Sequence, residues 1–135
     1  MKLKTIKCDY LIIGSGAGGS SVADYLLEAG FSVLMIEEGD DYSSDNVPKS
    51  ALDGMTGMWR GGGLTPAFGS PTVTYAEARC FGGGTEINSG IMQRVPASIL
   101  AEWGKISEED EDYYSSEIHS HYDWVENTLN AHVLD

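Results

Sequence analysis

Residues 8–19 read CDYLIIGSGAGG. An apolar run of strand length passes directly into a chain of glycines. Residues 8–14, CDYLIIG, carry enough β-branched and aromatic side chains to predict a buried strand. Residues 17–29, AGGSSVADYLLEA, predict a helix. Val22, Leu26 and Ala29 form its apolar stripe, widened by Ala23 and Leu27, while Asp24 and Glu28 take the opposite side. Gly30 suits the left-handed conformation that closes a helix. Residues 31–39, FSVLMIEEG, predict a second buried strand. Strand, helix and strand within 8–39 make a βαβ unit, with parallel strands and a right-handed crossover. The fold class is therefore α/β, the N-terminal part of a Rossmann-like domain that this unit alone leaves incomplete.

The glycines match G-x-G-x-x-G at Gly14, Gly16 and Gly19, with Ser15 and Ala17 in the intervening positions. Gly14 permits the tight turn out of the strand, Gly16 lets a pyrophosphate approach the backbone, and Gly19 lets the helix pack closely. The helix N-terminus offers free N–H groups and a positive partial charge to phosphate. The pattern alone occurs in many chains; its place between strand and helix is what the mechanism requires. Gly14, Ser15, Gly16, Ala17 and Gly19 are thus candidate cofactor-binding residues. Glu37 ends the second strand, where a carboxylate can accept from both hydroxyls of an adenosine ribose and repel a 2′-phosphate. Glu38 is the neighbouring alternative. NAD and FAD share this cradle, so these residues leave the two open.

The chain has 135 residues, enough for a modest core, and a net charge of −13. That charge argues against nucleic acid, which calls for a basic footprint, and against anionic membrane surfaces. No apolar run reaches membrane-spanning length. Asp9 and the glycines interrupt the N-terminal apolar patch, so it reads as a strand and not a secretory signal, which places the protein in the cytoplasm. Cys8 and Cys80 lack C-x-x-C spacing and are expected as free thiols.

Residues 40–57 are polar and weakly periodic, a connection with room for a short helix. Extended stretches around Leu64–Phe68 and Val73–Ala78 flank the turn residues Gly69, Ser70 and Pro71, which predicts a hairpin. From Ser107 the pattern is helical, with Ser107 as N-cap and acids over 108–112 in the first turns. Tyr114, Ile118, Tyr122, Val125 and Leu129 then form one apolar face, giving an amphipathic helix over 107–130.

One stretch is left over: residues 80–90, CFGGGTEINSG. Three consecutive glycines are costly inside any regular element, at about 0.5–1 kcal/mol each relative to alanine. They suggest that something large comes close to the main chain. Taken with the first motif, the sequence here resembles the glucose–methanol–choline (GMC) oxidoreductases. That family begins with a strand and G-x-G-x-x-G, reaches a strand ending in Glu-x-Gly, and later carries G-G-[ST]-[ST]-x-x-N with an arginine following. Glu37, Glu38 and Gly39 match the first part; Gly82, Gly83, Gly84, Thr85, Glu86, Ile87 and Asn88 match the second, with Arg94 downstream. The resemblance extends over essentially the whole chain, including Glu102 and Trp103.

The resemblance implies FAD as the cofactor. It implies that the loop over 82–88 runs along the pyrophosphate and ribityl chain, with Gly82, Gly83 and Gly84 allowing close approach. Thr85 would then donate its hydroxyl to a phosphate or ribityl oxygen, and Asn88 would lie near the flavin ring. Gly84 stands where the family often has serine, and Glu86 is expected to point away from the phosphates. Ile87 stands where some members bind FAD covalently through histidine, which implies non-covalent FAD. The family's catalytic histidine, paired with histidine or asparagine, has no match here.

The implied parent oxidises a small-molecule alcohol by hydride transfer to flavin. This chain would be its N-terminal FAD-binding portion over 1–135: the βαβ unit over 8–39, a hairpin and flavin-contacting loop over 58–94, and the helix over 107–130. The remaining strands and the substrate domain would follow Asp135, and the chain alone would be inactive. Another FAD- or NAD-binding oxidoreductase, and a truncated non-catalytic nucleotide-binding protein, stay open as alternatives. His119 and His121, two apart on a helix, point about 200° apart and do not converge on a metal. Trp59, Trp103 and Trp124 read as packing residues, and Arg60 and Arg79 as cations able to offset phosphate charge.

Overall fold

The computed structural model of the chain describes residues 3–43, 46–107 and 113–132. The chain divides into two compact units, Met1–Gly90 and Ile91–Asp135. In the first, β1 (Tyr10–Ile13) and β2 (Val33–Ile36) pair in parallel, with Tyr10 beside Val33 and Ile13 beside Ile36. Helix α1 (Ala17–Glu28) crosses between the strands and packs on both. This is the βαβ unit that the apolar pattern predicts.

Its ends are fixed by local chemistry. Gly30 takes φ +86° and its N–H reaches the Leu27 carbonyl at 3.0 Å, while the Phe31 N–H reaches the Leu26 carbonyl at 3.0 Å. These two bonds are a Schellman motif, which satisfies the last carbonyls of α1 and turns the chain toward β2. At the same end of the strands, Ser32 donates its N–H and hydroxyl to the Asp9 carboxylate at 2.8 and 2.6 Å.

The strands are more open than the sequence predicts. Leu11 is 55% and Ile13 79% exposed, and only Ala23 of the α1 stripe is fully buried. A two-stranded sheet with one helix on one face shields few side chains. Apolar composition thus located the strands correctly but overstated their burial in this chain.

After β2 the chain forms α2 (Ala51–Met58). Its cap is Ser50, which accepts from the Asp53 N–H at 3.1 Å and donates to the Asp53 carboxylate at 2.7 Å. This reciprocal capping stops the helix from fraying at its start. The 3-10 turn Arg60–Gly63 leads into an antiparallel hairpin of β3 (Thr65–Ala67) and β4 (Val73–Tyr75), within the two extended stretches read from the sequence. Trp59 packs over this turn, its ring lying where a β-carbon on Gly63 would stand, 2.7 Å away. One short helical turn, α3 (Gly84–Ile87), closes the unit.

The second unit contains α4 (Ala97–Ser107) and α5 (Tyr113–Thr128), which pack against each other. The expected helix over 107–130 corresponds to α5, and α4 before it was not foreseen. Ser107 is the last residue of α4 and not the N-cap of the helix that follows. The acidic run over 108–112 lies outside the described residues. Leu100 is 1% exposed, and Ile118, Tyr122 and Val125 are half-buried along α5, as their spacing predicts. Leu129 lies beyond the helix end and is exposed. Arg94 fastens the start of this unit to α5. Its guanidinium bonds Glu126 at 2.7 and 2.6 Å and Asp123 at 2.5 Å, and it lies 5.5 Å from the centre of the Tyr122 ring. The Val95 N–H donates to the Tyr122 hydroxyl at 3.1 Å.

Candidate nucleotide-binding site

The site is assembled where the second glycine-rich segment crosses the end of β2. Asp40 and Cys80 form a parallel bridge, and the Phe81 N–H donates to the Asp40 carbonyl at 2.9 Å. Gly39 permits this crossing: a β-carbon there would lie 2.3 Å from the backbone of Arg79 and Cys80. Cys80 is fully buried beneath the crossing, and burial pushes its thiol pKa up. The glycine of the Glu-x-Gly pattern thus has a steric task in this structure.

The segment then turns back onto the first motif. Gly83 adopts φ +60°, ψ −140°, a conformation reserved for glycine. A β-carbon on it would lie 2.9 Å from the Gly16 α-carbon. Gly19 meets the first turn even more closely, since its β-carbon would stand 2.1 Å from the Gly14 carbonyl oxygen. That contact is the close helix packing foreseen for the third glycine.

Ser15, 1% exposed, sits at the centre. Its N–H and its hydroxyl both donate to Glu37 Oε2, at 2.9 and 2.8 Å. The same hydroxyl accepts the Gly82 N–H at 2.9 Å. Glu37 Oε1 accepts the Gly39 N–H at 2.9 Å. The Ser15 N–H, then the Gly39 N–H, then the Ser15 hydroxyl hold the Glu37 carboxyl pKa down to about 2, so it is ionised at neutral pH.

Ile13, Gly14, Gly16, Ile36, Glu37, Glu38, Ala78 and Gly83 line one cavity of about 440 Å³. Both glycine motifs and the acid at the end of β2 therefore share one concavity. Gly82 joins them through Ser15. Ala17 and Gly19 lie in the first turn of α1, whose N-cap Gly16 supplies no side-chain cap, leaving the first N–H groups for an anion.

Gly84 and Thr85 belong to α3, Asn88 is its C-cap, and none of the three lines this cavity. The Thr85 hydroxyl donates to the Gly82 carbonyl at 2.6 Å. The Asn88 amide donates to the Thr85 carbonyl at 3.1 Å and accepts the Gly90 N–H at 2.6 Å. The Glu86 side chain folds over Gly82 and lines a second hollow with Tyr42 and Met58.

Arg60 is not a free phosphate cation. It pairs with Glu38 and, at 2.7 Å, with Glu77, at the rim of the cavity. No spacing signals this: Arg60 and Glu38 share no helix or strand, and they meet because the segment over 77–80 bridges to Trp59 on one side and to Asp40 on the other. Ala78 reaches the cavity wall by the bridge to Trp59. The linking position of Ser15 was likewise invisible, because it requires the second loop to close on the first.

This donor set suits the adenosine and pyrophosphate end of a dinucleotide. Wall residues Gly14, Gly16 and Gly83 carry no side chain; the N-cap of α1 has no side-chain cap; and the ionised Glu37 carboxylate stands just past the end of β2. Fold and cavity together define a Rossmann-like nucleotide-binding unit. Comparison with known proteins agrees. Residues 12–56 match the family model for an NAD(P)-binding Rossmann-like domain, and residues 55–133 match that for GMC oxidoreductase. The chain is 47% identical, over 93% of its length and 25% of the relative's, to an uncharacterized GMC-type oxidoreductase of Sinorhizobium fredii. It is 33% identical to a long-chain-alcohol oxidase of Arabidopsis thaliana, over 76% of this chain and 14% of that one. It is 29% identical to a cholesterol oxidase of Acinetobacter baumannii, over 97% of this chain and 24% of that one. The chain belongs to the GMC oxidoreductase family, and it spans a quarter or less of the length of these relatives. Membership implies a flavin or nucleotide cofactor. Among the described residues, no helix is long and apolar enough to cross a membrane.

Proposed function

We propose that this chain holds FAD, without a covalent link, as the N-terminal cofactor-binding portion of an enzyme that oxidises an alcohol. The observation that carries the reading is the shared cavity: Gly14, Gly16, Glu37 and Gly83, drawn from two distant motifs, line it together. The names of the alcohol oxidase and cholesterol oxidase relatives support a CH–OH donor.

Bound FAD would supply the acceptor for a hydride from the alcohol carbon. The residues of this chain bind and orient. The first turn of α1, entered through Gly14, Ser15, Gly16, Ala17 and Gly19, presents N–H groups to the pyrophosphate. Glu37 accepts from a ribose hydroxyl through the lone pair left on Oε1, and its negative charge disfavours a 2′-phosphate. Glu38, tied to Arg60, stands beside it. Gly82, Gly83 and Gly84 keep the second loop free of side chains along the cofactor, and Thr85 and Asn88 shape the turn that follows. Ile87 offers no nucleophile for a covalent bond to flavin. The unbridged thiols Cys8 and Cys80 suit a reducing cytoplasm.

The test is the visible spectrum of the purified protein, followed by acid precipitation. We expect flavin absorbance that passes into the supernatant as FAD. Flavin retained in the pellet would contradict the non-covalent reading. Stoichiometric NAD with no flavin would replace the cofactor.

A further inference from the structure

Ser15 joins three backbone segments that are far apart in sequence. Its hydroxyl donates to Glu37 Oε2 at 2.8 Å and accepts the Gly82 N–H at 2.9 Å, and its carbonyl accepts the Ser20 hydroxyl at 2.8 Å. It is 1% exposed and is absent from the cavity wall. A hydroxyl has one proton and two lone pairs. Here the proton goes to the carboxylate and a lone pair takes the amide, so the hydroxyl is directed wholly at the protein.

We propose that Ser15 is a positioning residue: through one hydroxyl it sets the carboxylate of Glu37 for ribose recognition and anchors the loop over 82–84. The argument rests on the FAD reading above, in assigning the ribose to Glu37. Glu37 has several rotamers open to it at a strand end. Two donors from Ser15 on Oε2 and one from Gly39 on Oε1 select one of them. Oε2 has both lone pairs taken by Ser15, and Oε1, with one bond from Gly39, keeps a lone pair for a ribose hydroxyl. The Gly82 N–H, at the start of a glycine run, has its bond only from this hydroxyl, so the loop and the ribose acid form one mechanical unit. A nucleotide that engages Glu37 thereby also stiffens the loop.

The experiment compares Ser15→Ala with the unmodified protein, using ADP and 2′-deoxy-ADP as probes in calorimetric titration and hydrogen exchange at the Gly82 amide. If Ser15 acts through Glu37, S15A lowers the preference for ADP over 2′-deoxy-ADP by about tenfold, the worth of a hydrogen bond to a charged group. In the Glu37→Gln background the same change has no further effect on that preference. Protection of the Gly82 amide falls by a similar factor, without ligand. Equal weakening of both nucleotides, with Gly82 protection unchanged, would overturn the proposal and leave Ser15 a packing residue. An unmodified protein that binds neither probe would overturn the FAD reading instead, while Gly82 exchange still reports on the anchor. If S15A does not fold, Ser15→Cys, with similar volume and a weak donor, takes its place, and intact ADP preference there would count against the proposal.

Discussion

The α-carbon of Gly16 and the vacant β-position of Gly83 lie 2.9 Å apart, closer than any real β-carbon tolerates. The two residues belong to motifs on either side of the hairpin, yet their backbones meet at the cavity wall. Gly83→Ala should therefore fail twice: it strains a conformation open to glycine, at a cost of about 1–3 kcal/mol, and it pushes the loop off Gly16. Chemical denaturation should show the loss of stability, and titration with FAD should show the loss of binding.

Gly16 and Gly19 separate fold from function within one motif. Gly16 has φ −67°, and the nearest atoms to an added β-carbon are 3.9 Å away. Gly16→Ala should keep the fold, at a cost of about 1 kcal/mol or less for the poorer N-cap, and weaken nucleotide binding because the methyl enters the cavity. Gly19→Ala drives a β-carbon onto the Gly14 carbonyl, so it should destabilise by about 1–3 kcal/mol or more. Melting curves and ADP titrations of the two variants, side by side, check the contrast.

Stability should depend on pH through Glu37. Its pKa falls from 4.5 to about 2 on folding, because the folded state supplies donors to the carboxylate. A depressed folded pKa contributes stability that is fully present above 4.5 and is lost as pH falls toward 2. Asp9, Glu38, Asp41 and Glu126 are shifted in the same direction. Urea unfolding across this window should show a steep acid loss in the unmodified protein and a shallower one in Glu37→Gln.

Arg94 stabilises the second unit only modestly. Its bonds to Glu126 and Asp123 are well aligned, but the guanidinium is 39% exposed. Arg94→Met should lower stability only slightly, and the difference should shrink in high salt. Paired denaturation curves at low and high ionic strength measure it.

The βαβ unit was legible because its signals are local: an apolar run, a glycine turn, a helical stripe and Gly30 at the C-cap. The hairpin was legible from the turn residues 69–71. Helix α4 was missed. Its signal existed, with Ile99, Leu100 and Trp103 at helical spacing after Pro96, whose carbonyl accepts the Ile99 and Leu100 N–H groups. Gly104 weakened it, and the acids following Ser107 read more strongly as a helix start. Gly14, Gly16, Gly83 and Glu37 share one cavity, and they were legible as candidates because a nucleotide cradle needs fixed spacings. The roles of Ser15, Arg60 and Ala78 depend on which segments meet, and no spacing records that.

The most direct measurement is a parallel titration of the purified, flavin-stripped protein with FAD and with FMN. FAD carries the adenosine ribose and pyrophosphate that Glu37 and the first turn of α1 are proposed to hold, and FMN lacks that half. The account predicts saturable FAD binding, abolished or weakened at least tenfold in Glu37→Gln, with FMN bound far more weakly. Equal affinity for FAD and FMN, or FAD binding indifferent to Glu37→Gln, would contradict it.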